Sequence, residues 1–176
     1  MGRSWKSIRS KEMVEKIREH SRKKEKKAVT ILKKLFPEFT IKWINQDGYK
    51  THKDRKPDIV ICDGDKVICY VEFSSTERYC LKKNPKFKLS KTLRVEADKC
   101  DFFKEGYDGK PILFCYHFAD NYIKFCKFSE MKYRGYEVVK SFGQDETSEN
   151  YVIDAKNLYD IEIVKENGEY VCRKKE

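Results

Sequence analysis

The chain has 176 residues, 39% of them charged, and its formal net charge at pH 7 is +10. This length is sufficient for one compact domain with a substantial core, and the basic excess favours a polyanionic partner, first of all nucleic acid. The chain has no run of 18 apolar residues and no apolar stretch near its start that would serve as a secretion signal, so we expect a cytoplasmic protein.

The seven cysteines are scattered along the chain, and none belongs to a Cys-x-x-Cys pair. This spacing predicts neither a zinc ribbon nor a redox motif. Several cysteines lie inside apolar stretches, where a free thiol acts as a small hydrophobic side chain, so we expect a reduced protein. The three histidines lack metal-ligand spacing, and no glycine-rich phosphate loop is present.

The first predicted element is a helix over residues 10–36, either continuous or divided into two helices near Ser21. Its apolar residues recur at helical spacing towards the C-terminal end, and Pro37 closes the element. Residues 39–44 alternate between apolar and polar as a strand does, and residues 45–56 form a polar, basic loop.

Residues 57–75, PDIVICDGDKVICYVEFSS, predict two buried strands that carry Asp58 and Glu72 inside apolar runs. We expect residues 63–65 to form a three-residue loop with Gly64 in the left-handed conformation. Glu72 is then a diagonal neighbour of Asp58, within about 7–8 Å on the same face of the sheet. A two-residue Asp-Gly turn would instead send Glu72 to the opposite face.

The next segment, residues 75–91, is basic and irregular. Residues 90–106 predict a helix with Ser90 as its N-cap, and a glycine at its end is typical of a helix stop. Residues 111–118 and 121–128 predict a hairpin, because two apolar runs are separated by a short polar turn.

From residue 129 onward the sequence predicts only short strands between polar loops. The predicted order of elements is α-β-β-β-α-β-β followed by this weaker portion, which describes an α/β sandwich. We expect one domain over residues 1–176, in which residues 129–176 are a C-terminal extension.

Three carboxylates of these elements are expected to converge. Glu25 continues the apolar stripe of the first helix, so it points towards the sheet that carries Asp58 and Glu72. Clustered carboxylates repel one another unless one is protonated or a cation neutralises them. Mg²⁺ binds carboxylate oxygens and keeps several waters for a substrate, so the pattern predicts a magnesium site.

The residues Glu25, Pro57-Asp58 and Glu72-Phe73-Ser74 resemble the motifs of the PD-(D/E)XK nuclease superfamily. The stretch EKKAVTILKKLFPEF is similar to the opening helix of archaeal Holliday-junction resolvases. The resemblance covers roughly residues 22–128, which would form the core. It implies an αβββαβ sandwich with a mixed central sheet flanked by helices, that is, a restriction-endonuclease-like core.

The resemblance also implies a Mg²⁺-dependent DNA endonuclease that hydrolyses phosphodiester bonds and accepts Mn²⁺ as a substitute. The implied metal ligands are the three carboxylates and one backbone carbonyl: Glu25, Asp58, Glu72 and Phe73. The family's lysine is replaced by Ser74, whose hydroxyl could orient the attacking water. In related enzymes a lysine from the neighbouring helix takes over, and here Lys91 and Lys99 are the open alternatives.

Two basic stretches are expected to hold DNA phosphates on either side of the site. The expected contacts are Lys50, Lys53, Arg55, Lys56, Arg78, Lys82, Lys83, Lys86, Lys88 and Arg94. Two alternatives remain open: a Holliday-junction resolvase and a catalytically inactive DNA-binding member of the fold. We expect a homodimer, because a resolvase needs two sites related by symmetry.

Overall fold

The structure is a computed structural model, and it describes residues 11–45, 55–75, 92–118, 122–140 and 147–176. Within these ranges the chain forms helices α1 (Lys11–Leu35) and α2 (Ala97–Phe103) and strands β1 (Thr40–Trp43), β2 (Ile59–Asp63), β3 (Lys66–Ser75), β4 (Thr92–Glu96), β5 (Ile112–His117), β6 (Ile123–Lys127), β7 (Gly135–Lys140), β8 (Thr147–Asp154), β9 (Ile161–Glu166) and β10 (Glu169–Lys174). Neither helix is long and apolar enough to cross a membrane.

The central sheet has five strands in the order β1-β2-β3-β5-β6. Strands β3 and β5 are parallel, whereas the other neighbours are antiparallel, so the predicted mixed sheet is confirmed. One face packs against α1 and the β9–β10 hairpin. The other face packs against α2 and a smaller sheet, β4-β8-β7.

Helix α1 is continuous through Ser21, so the alternative of two helices is wrong. Ala28 and Leu32 of its apolar stripe are fully buried against the central sheet, whereas Leu35 at the end of the stripe is 51% exposed. The helix ends at Leu35, close before Pro37, as predicted. Because this stripe fixes the rotation of the helix, it also determines which face of α1 meets the sheet.

The prediction of a single helix over residues 90–106 is wrong. Thr92–Glu96 form strand β4, which pairs with β8, and only Ala97–Phe103 are helical. In β4 the apolar residues Leu93 and Val95 are buried while their neighbours are exposed, which is the period of a strand. The additional strand means that the αβββαβ arrangement is not confirmed, although the α/β character is.

The turn of the β2–β3 hairpin also differs from the prediction. Asp63 pairs with Lys66, so two residues form the turn and the predicted three-residue loop is wrong. Gly64 has a φ of +58°, the left-handed conformation that favours glycine at this position. The turn alone would have changed the register of the whole hairpin.

A β-bulge restores the predicted orientation of the two acidic residues. Cys62 pairs with Val67, but Ile61 pairs with Cys69, so one residue of β3 has no partner across the strand. The register beyond the bulge places Asp58 across from Glu72. Without the bulge, Glu72 would point to the opposite face of the sheet, because side chains alternate along a strand.

The connection from α2 to β5 depends on Gly106, and we expect Gly106→Ala to destabilise the fold by roughly 2–3 kcal/mol. Gly106 has a φ of +91°, and an added Cβ would lie 2.5 Å from the backbone oxygen of Lys110. Urea unfolding measures the effect. Gly135→Ala is the matched control, because no atom lies within 4 Å of its added Cβ. Equal losses in both variants would contradict the expectation.

Candidate active site

Four charged side chains meet at one end of the central sheet, where β2 begins and β3 ends. Asp58 and Glu72 come from these two strands, and each residue is only 5% exposed. Lys99 comes from α2, and Glu25 comes from α1. The charges of Asp58 and Lys99 shift the pKa values of both Glu25 and Glu72, and the charges of Glu72 and Asp58 raise that of Lys99, so the four groups are electrostatically linked.

Asp58 is held by hydrogen bonds from two directions. The backbone N–H of Phe73 donates to its Oδ2 at 2.9 Å, and Nδ2 of Asn45 lies 3.4 Å from its Oδ1. Burial raises the pKa of Asp58, while the nearby charge of Lys99 and the Phe73 hydrogen bond oppose that rise. The bond to Phe73 couples the position of Asp58 directly to the strand that carries Glu72.

Glu72 has one satisfied oxygen and one orphaned oxygen. Its Oε1 accepts a hydrogen bond from Lys99 Nζ at 2.9 Å, whereas its buried Oε2 has no partner among the described residues. Burial raises the pKa of Glu72 to about 7, Lys99 opposes this rise, and Asp58 adds to it. A buried oxygen without a partner is costly, so its presence points to a functional role.

Lys99 extends from α2 with a side chain that is 19% exposed. Burial lowers its pKa, but the charges of Glu72, Glu96 and Asp58 outweigh burial and raise the pKa of Lys99 above its usual value. Lys99 is therefore an ammonium group at neutral pH, while the pKa of Glu72 beside it is about 7.

Glu25 is half-buried on α1, and the indole N–H of Trp43 donates to its Oε2 at 2.8 Å. Burial raises the pKa of Glu25 to about 7, and the charge of Asp58 adds to the effect. In the parts of the chain that the structure describes, no three His, Cys, Asp or Glu side chains lie close enough together to hold a metal ion. Glu25 therefore faces the cluster without forming a three-carboxylate site with Asp58 and Glu72.

The donor set nevertheless fits a hard divalent cation bound by two carboxylates. Mg²⁺ in phosphate-processing sites commonly uses only one or two carboxylates and completes its shell with waters and substrate oxygens. The orphaned Oε2 of Glu72 is an oxygen that such an ion would satisfy. Asp58 and Glu72 are the pair that meets this requirement, and the backbone carbonyl of Phe73 stays a prediction.

The other predicted catalytic residues occupy different surroundings. Ser74 is half-buried on β3 and pairs with Tyr116 of β5, so it shares the sheet face of Glu72 two residues away. Lys91 lies outside the described residues. Of the two candidate lysines, Lys99 is the one that the structure brings to Glu72.

Most of the predicted DNA contacts fall on residues that the structure does not describe: Lys50, Lys53, Arg78, Lys82, Lys83, Lys86 and Lys88. Lys56 is exposed, as a phosphate contact requires. Arg55 is only 3% exposed, and its charge lowers the pKa of both Asp58 and Glu72. Arg94 is exposed, but its Nε lies 2.6 Å from Glu137 Oε2.

Two residues of the site, Trp43 and Asn45, escaped the sequence analysis. Both follow directly from the pairing of β1 with β2, since the backbone N–H of Ile44 donates to the Asp58 carbonyl at 2.9 Å. The available signal was a tryptophan at the end of a short amphipathic strand. An indole N–H at such a position commonly finds an acceptor when it is buried.

The raised carboxylate pKa values predict that the free energy of unfolding falls between about pH 5 and pH 8. The pKa of Glu72 rises from 4.5 to about 7 on folding, so the folded state binds more protons than the unfolded state between these two pH values. Stability present below pH 4.5 is therefore lost as pH rises towards 7, by about 1–3 kcal/mol for Glu72. Lys99 stays charged throughout this interval and contributes no slope.

Urea unfolding at several pH values, in the presence of EDTA, measures this dependence. Glu72→Gln is the control variant, because an amide cannot titrate, and its pH dependence should be flatter than that of the wild type. A dependence identical in the two proteins would show that Glu72 has an ordinary pKa.

Comparisons with known proteins give one structural likeness. No protein family and no curated protein matches the chain. Among solved structures, the chain is similar to Hjc, a Holliday junction resolvase from the archaeal hyperthermophile Archaeoglobus fulgidus. The identity is 15% over 71% of this chain and 82% of that chain, and the TM-score is 0.41.

Proposed function

We propose that this protein is a Mg²⁺-dependent DNA endonuclease of the PD-(D/E)XK type with Lys99 in the role of the motif lysine. The observation that carries the proposal is the 2.9 Å contact between Lys99 Nζ and Glu72 Oε1. The motif resemblance leaves Ser74 where the family has lysine, and α2 supplies an ammonium group to the same carboxylate. Lys99 would thereby supply the positive charge that the motif lysine supplies in the family.

The described residues suit the hydrolysis of a phosphodiester bond. Asp58 and Glu72 would hold Mg²⁺, or Mn²⁺ in its place, and the bound ion supplies Lewis-acid activation of water and neutralisation of phosphate charge. Lys99 places a positive charge beside the position of the phosphate, where negative charge develops in the transition state. The hydroxyl of Ser74 can orient the attacking water by hydrogen bonding.

Glu25 would have a supporting place in this proposal, as a carboxylate near the Asp58–Glu72 pair that adds negative charge to the site. Among the described residues no three carboxylates are grouped closely enough to hold a metal ion, but the charge of Asp58 still raises the pKa of Glu25. The hydrogen bond from Trp43 to one oxygen of Glu25 holds this side chain in position. This arrangement retains Glu25 in the site without making it a direct ligand.

We propose DNA as the substrate and a homodimer as the active form. The net charge of +10 supports association with a polyanion, which is a general electrostatic effect. One site hydrolyses one strand, and a symmetric pair of sites would cut both strands of a duplex or junction. Light scattering after size-exclusion chromatography measures the oligomeric state.

Cleavage assays on supercoiled plasmid and on a four-way junction test the proposed activity. We expect nicking or linearisation with Mg²⁺ or Mn²⁺ and none with EDTA, because the two carboxylates alone cannot activate water. A strong preference for the junction would identify a resolvase. If no divalent ion supports cleavage of any DNA, the nuclease proposal is wrong and a binding function remains.

A further inference from the structure

A lysine-lined pocket lies beside β6, apart from the carboxylate cluster. Its volume is about 700 Å³, and its walls come from β6, the turn after it and the residues that flank the β9–β10 hairpin. The basic residues that line it are Lys124, Lys132, Lys156, Lys174 and Lys175. The residues after 128 supply most of its walls.

The charge in this pocket is unbalanced in favour of the lysines. Its two carboxylates, Asp160 and Glu130, are already engaged. Asp160 Oδ1 lies 2.8 Å from Lys124 Nζ, and Glu130 accepts a hydrogen bond from the Tyr159 hydroxyl at 3.2 Å. Five lysines and two carboxylates leave an excess of three positive charges, and Lys132 is exposed without an ion pair among the described residues.

One part of the pocket, at Lys124, lies at the same end of the central sheet as the carboxylate cluster, whereas Glu130 and Lys132 follow the other end of β6. Ser74 of β3 pairs with Tyr116 of β5, which in turn pairs with Lys124 of β6. Directly paired residues point to the same face, so Lys124 shares the face of Ser74 and therefore of Glu72. Within this row of paired residues, two strand spacings, or about 10 Å, separate the backbone of Lys124 from the backbone of Ser74.

The β9–β10 hairpin contributes its lysines at the same end. Lys66, at the start of β3, lies 3.3 Å from Glu169 at the start of β10, so the two strands begin near each other. Lys174 and Lys175 follow at the far end of β10, towards the end of β3 that carries Glu72. The hairpin thus places two lysines near the carboxylate end of the sheet, on the face opposite to Glu72, and the pocket lies along the edge strand β6 between the two faces.

We propose that this pocket binds the phosphate backbone of the DNA strand that also passes through the Asp58–Glu72–Lys99 site. The inference rests on the proposed nuclease function and extends it to the C-terminal residues. The separation of about 10 Å between the backbone positions of Ser74 and Lys124 corresponds to roughly three nucleotides at 3.4 Å of rise per nucleotide in one strand. Lysines act as point charges towards phosphate and are not selective for bases.

The interior of the pocket favours a backbone over a free nucleotide. Tyr159 is the pocket's aromatic side chain, and Lys174 Nζ lies 5.8 Å from the centre of its ring. The hydroxyl of Tyr159 is bound to Glu130. This ring is therefore engaged by a lysine and a carboxylate rather than offered to a base, whereas Lys132, Lys156 and Lys175 are exposed to an anionic ligand from solvent. The chemistry fits the repeated phosphates of a strand.

The test compares a pocket variant with a control variant of equal net charge. The pocket variant is Lys132→Gln/Lys156→Gln/Lys175→Gln. The control is Lys33→Gln/Lys104→Gln/Lys165→Gln, which removes three exposed lysines elsewhere. Fluorescence anisotropy with labelled duplex DNA, in EDTA and over a series of NaCl concentrations, measures affinity and its salt dependence. Thermal unfolding verifies that both variants fold.

We expect the pocket variant to lose roughly 10- to 100-fold in affinity near 0.1 M salt, with a salt slope smaller by about 2 to 3. The control should lose clearly less. Equal losses in the two variants would overturn the pocket assignment. If a deoxynucleoside monophosphate competes with DNA for the wild type but not for the pocket variant, the pocket binds a free nucleotide. That result would overturn the assignment to a strand. Because these measurements exclude divalent ions, a wild type that binds but never cuts refutes only the nuclease function.

Discussion

Replacing Lys99 with methionine is expected to lower the Mg²⁺-dependent cleavage rate by roughly 10²- to 10³-fold, because the site loses the ammonium group that contacts Glu72 beside the reacting phosphate. Methionine keeps much of the length and volume of the side chain, so packing around α2 is preserved. Single-turnover cleavage of a labelled duplex at saturating enzyme measures the chemical step, and anisotropy in EDTA shows whether binding is retained.

The decisive control moves the lysine instead of removing it. Ser74 lies on the same face as Glu72, where the family has its lysine, so Ser74→Lys combined with Lys99→Ser should recover activity to within roughly 10-fold of wild type. Lys91→Ala should leave the rate nearly unchanged. Full activity of the methionine variant, or a large loss in Lys91→Ala, would show that the ammonium group comes from elsewhere.

The choice between the two lysines illustrates what the sequence could not provide. A single helix over residues 90–106 would place Lys91 and Lys99 on one stripe, because positions at helical spacing share a face. Strand β4 breaks that stripe, since Thr92–Glu96 have a period of two. Pairing with β8, far along the chain, decides the conformation of this segment, and local sequence carries little of that information.

The sequence predicted the correct face for Asp58 and Glu72 from an incorrect loop length. All residues from Ile59 to Cys62 are buried, so the apolar pattern of β2 does not distinguish one face from the other. Turn length then had to fix the register, and a bulge in β3 altered it again. The two differences cancel, so the predicted face holds, although Glu72 lies directly across from Asp58 and the predicted diagonal relation is wrong.

Residues with strong local signals were predictable. The buried stripe of α1, the stop at Pro37 and the hairpin of β5 and β6 follow from periodicity and a proline, and each is present. The approach of Glu25 to the sheet follows from the same stripe. How closely Glu25 approaches Asp58 and Glu72 depends on how α1 packs against β1, and the sequence does not specify that packing.

Replacing Glu72 with glutamine is expected to abolish cleavage, with a loss of more than about 10³-fold, while DNA binding stays unchanged or becomes tighter. Glutamine preserves the shape of the side chain but removes the anionic oxygens that a divalent ion requires. It also removes one negative charge next to the bound phosphates, which favours association with DNA. The comparison needs cleavage with Mg²⁺ and anisotropy in EDTA on the same preparation.

Glu96→Gln separates the loss of a ligand from a change in the charge around Lys99. Glu96 also raises the pKa of Lys99, but it is exposed at the start of α2 and has no place in the cluster. We expect this variant to keep its cleavage rate within roughly threefold, since Glu72 and Asp58 still hold Lys99 as an ammonium group. If Glu96→Gln were as inactive as Glu72→Gln, the common cause would be the charge state of Lys99, and Glu72 would not be a metal ligand. If both variants cut normally, hydrolysis would take place at another site of the protein.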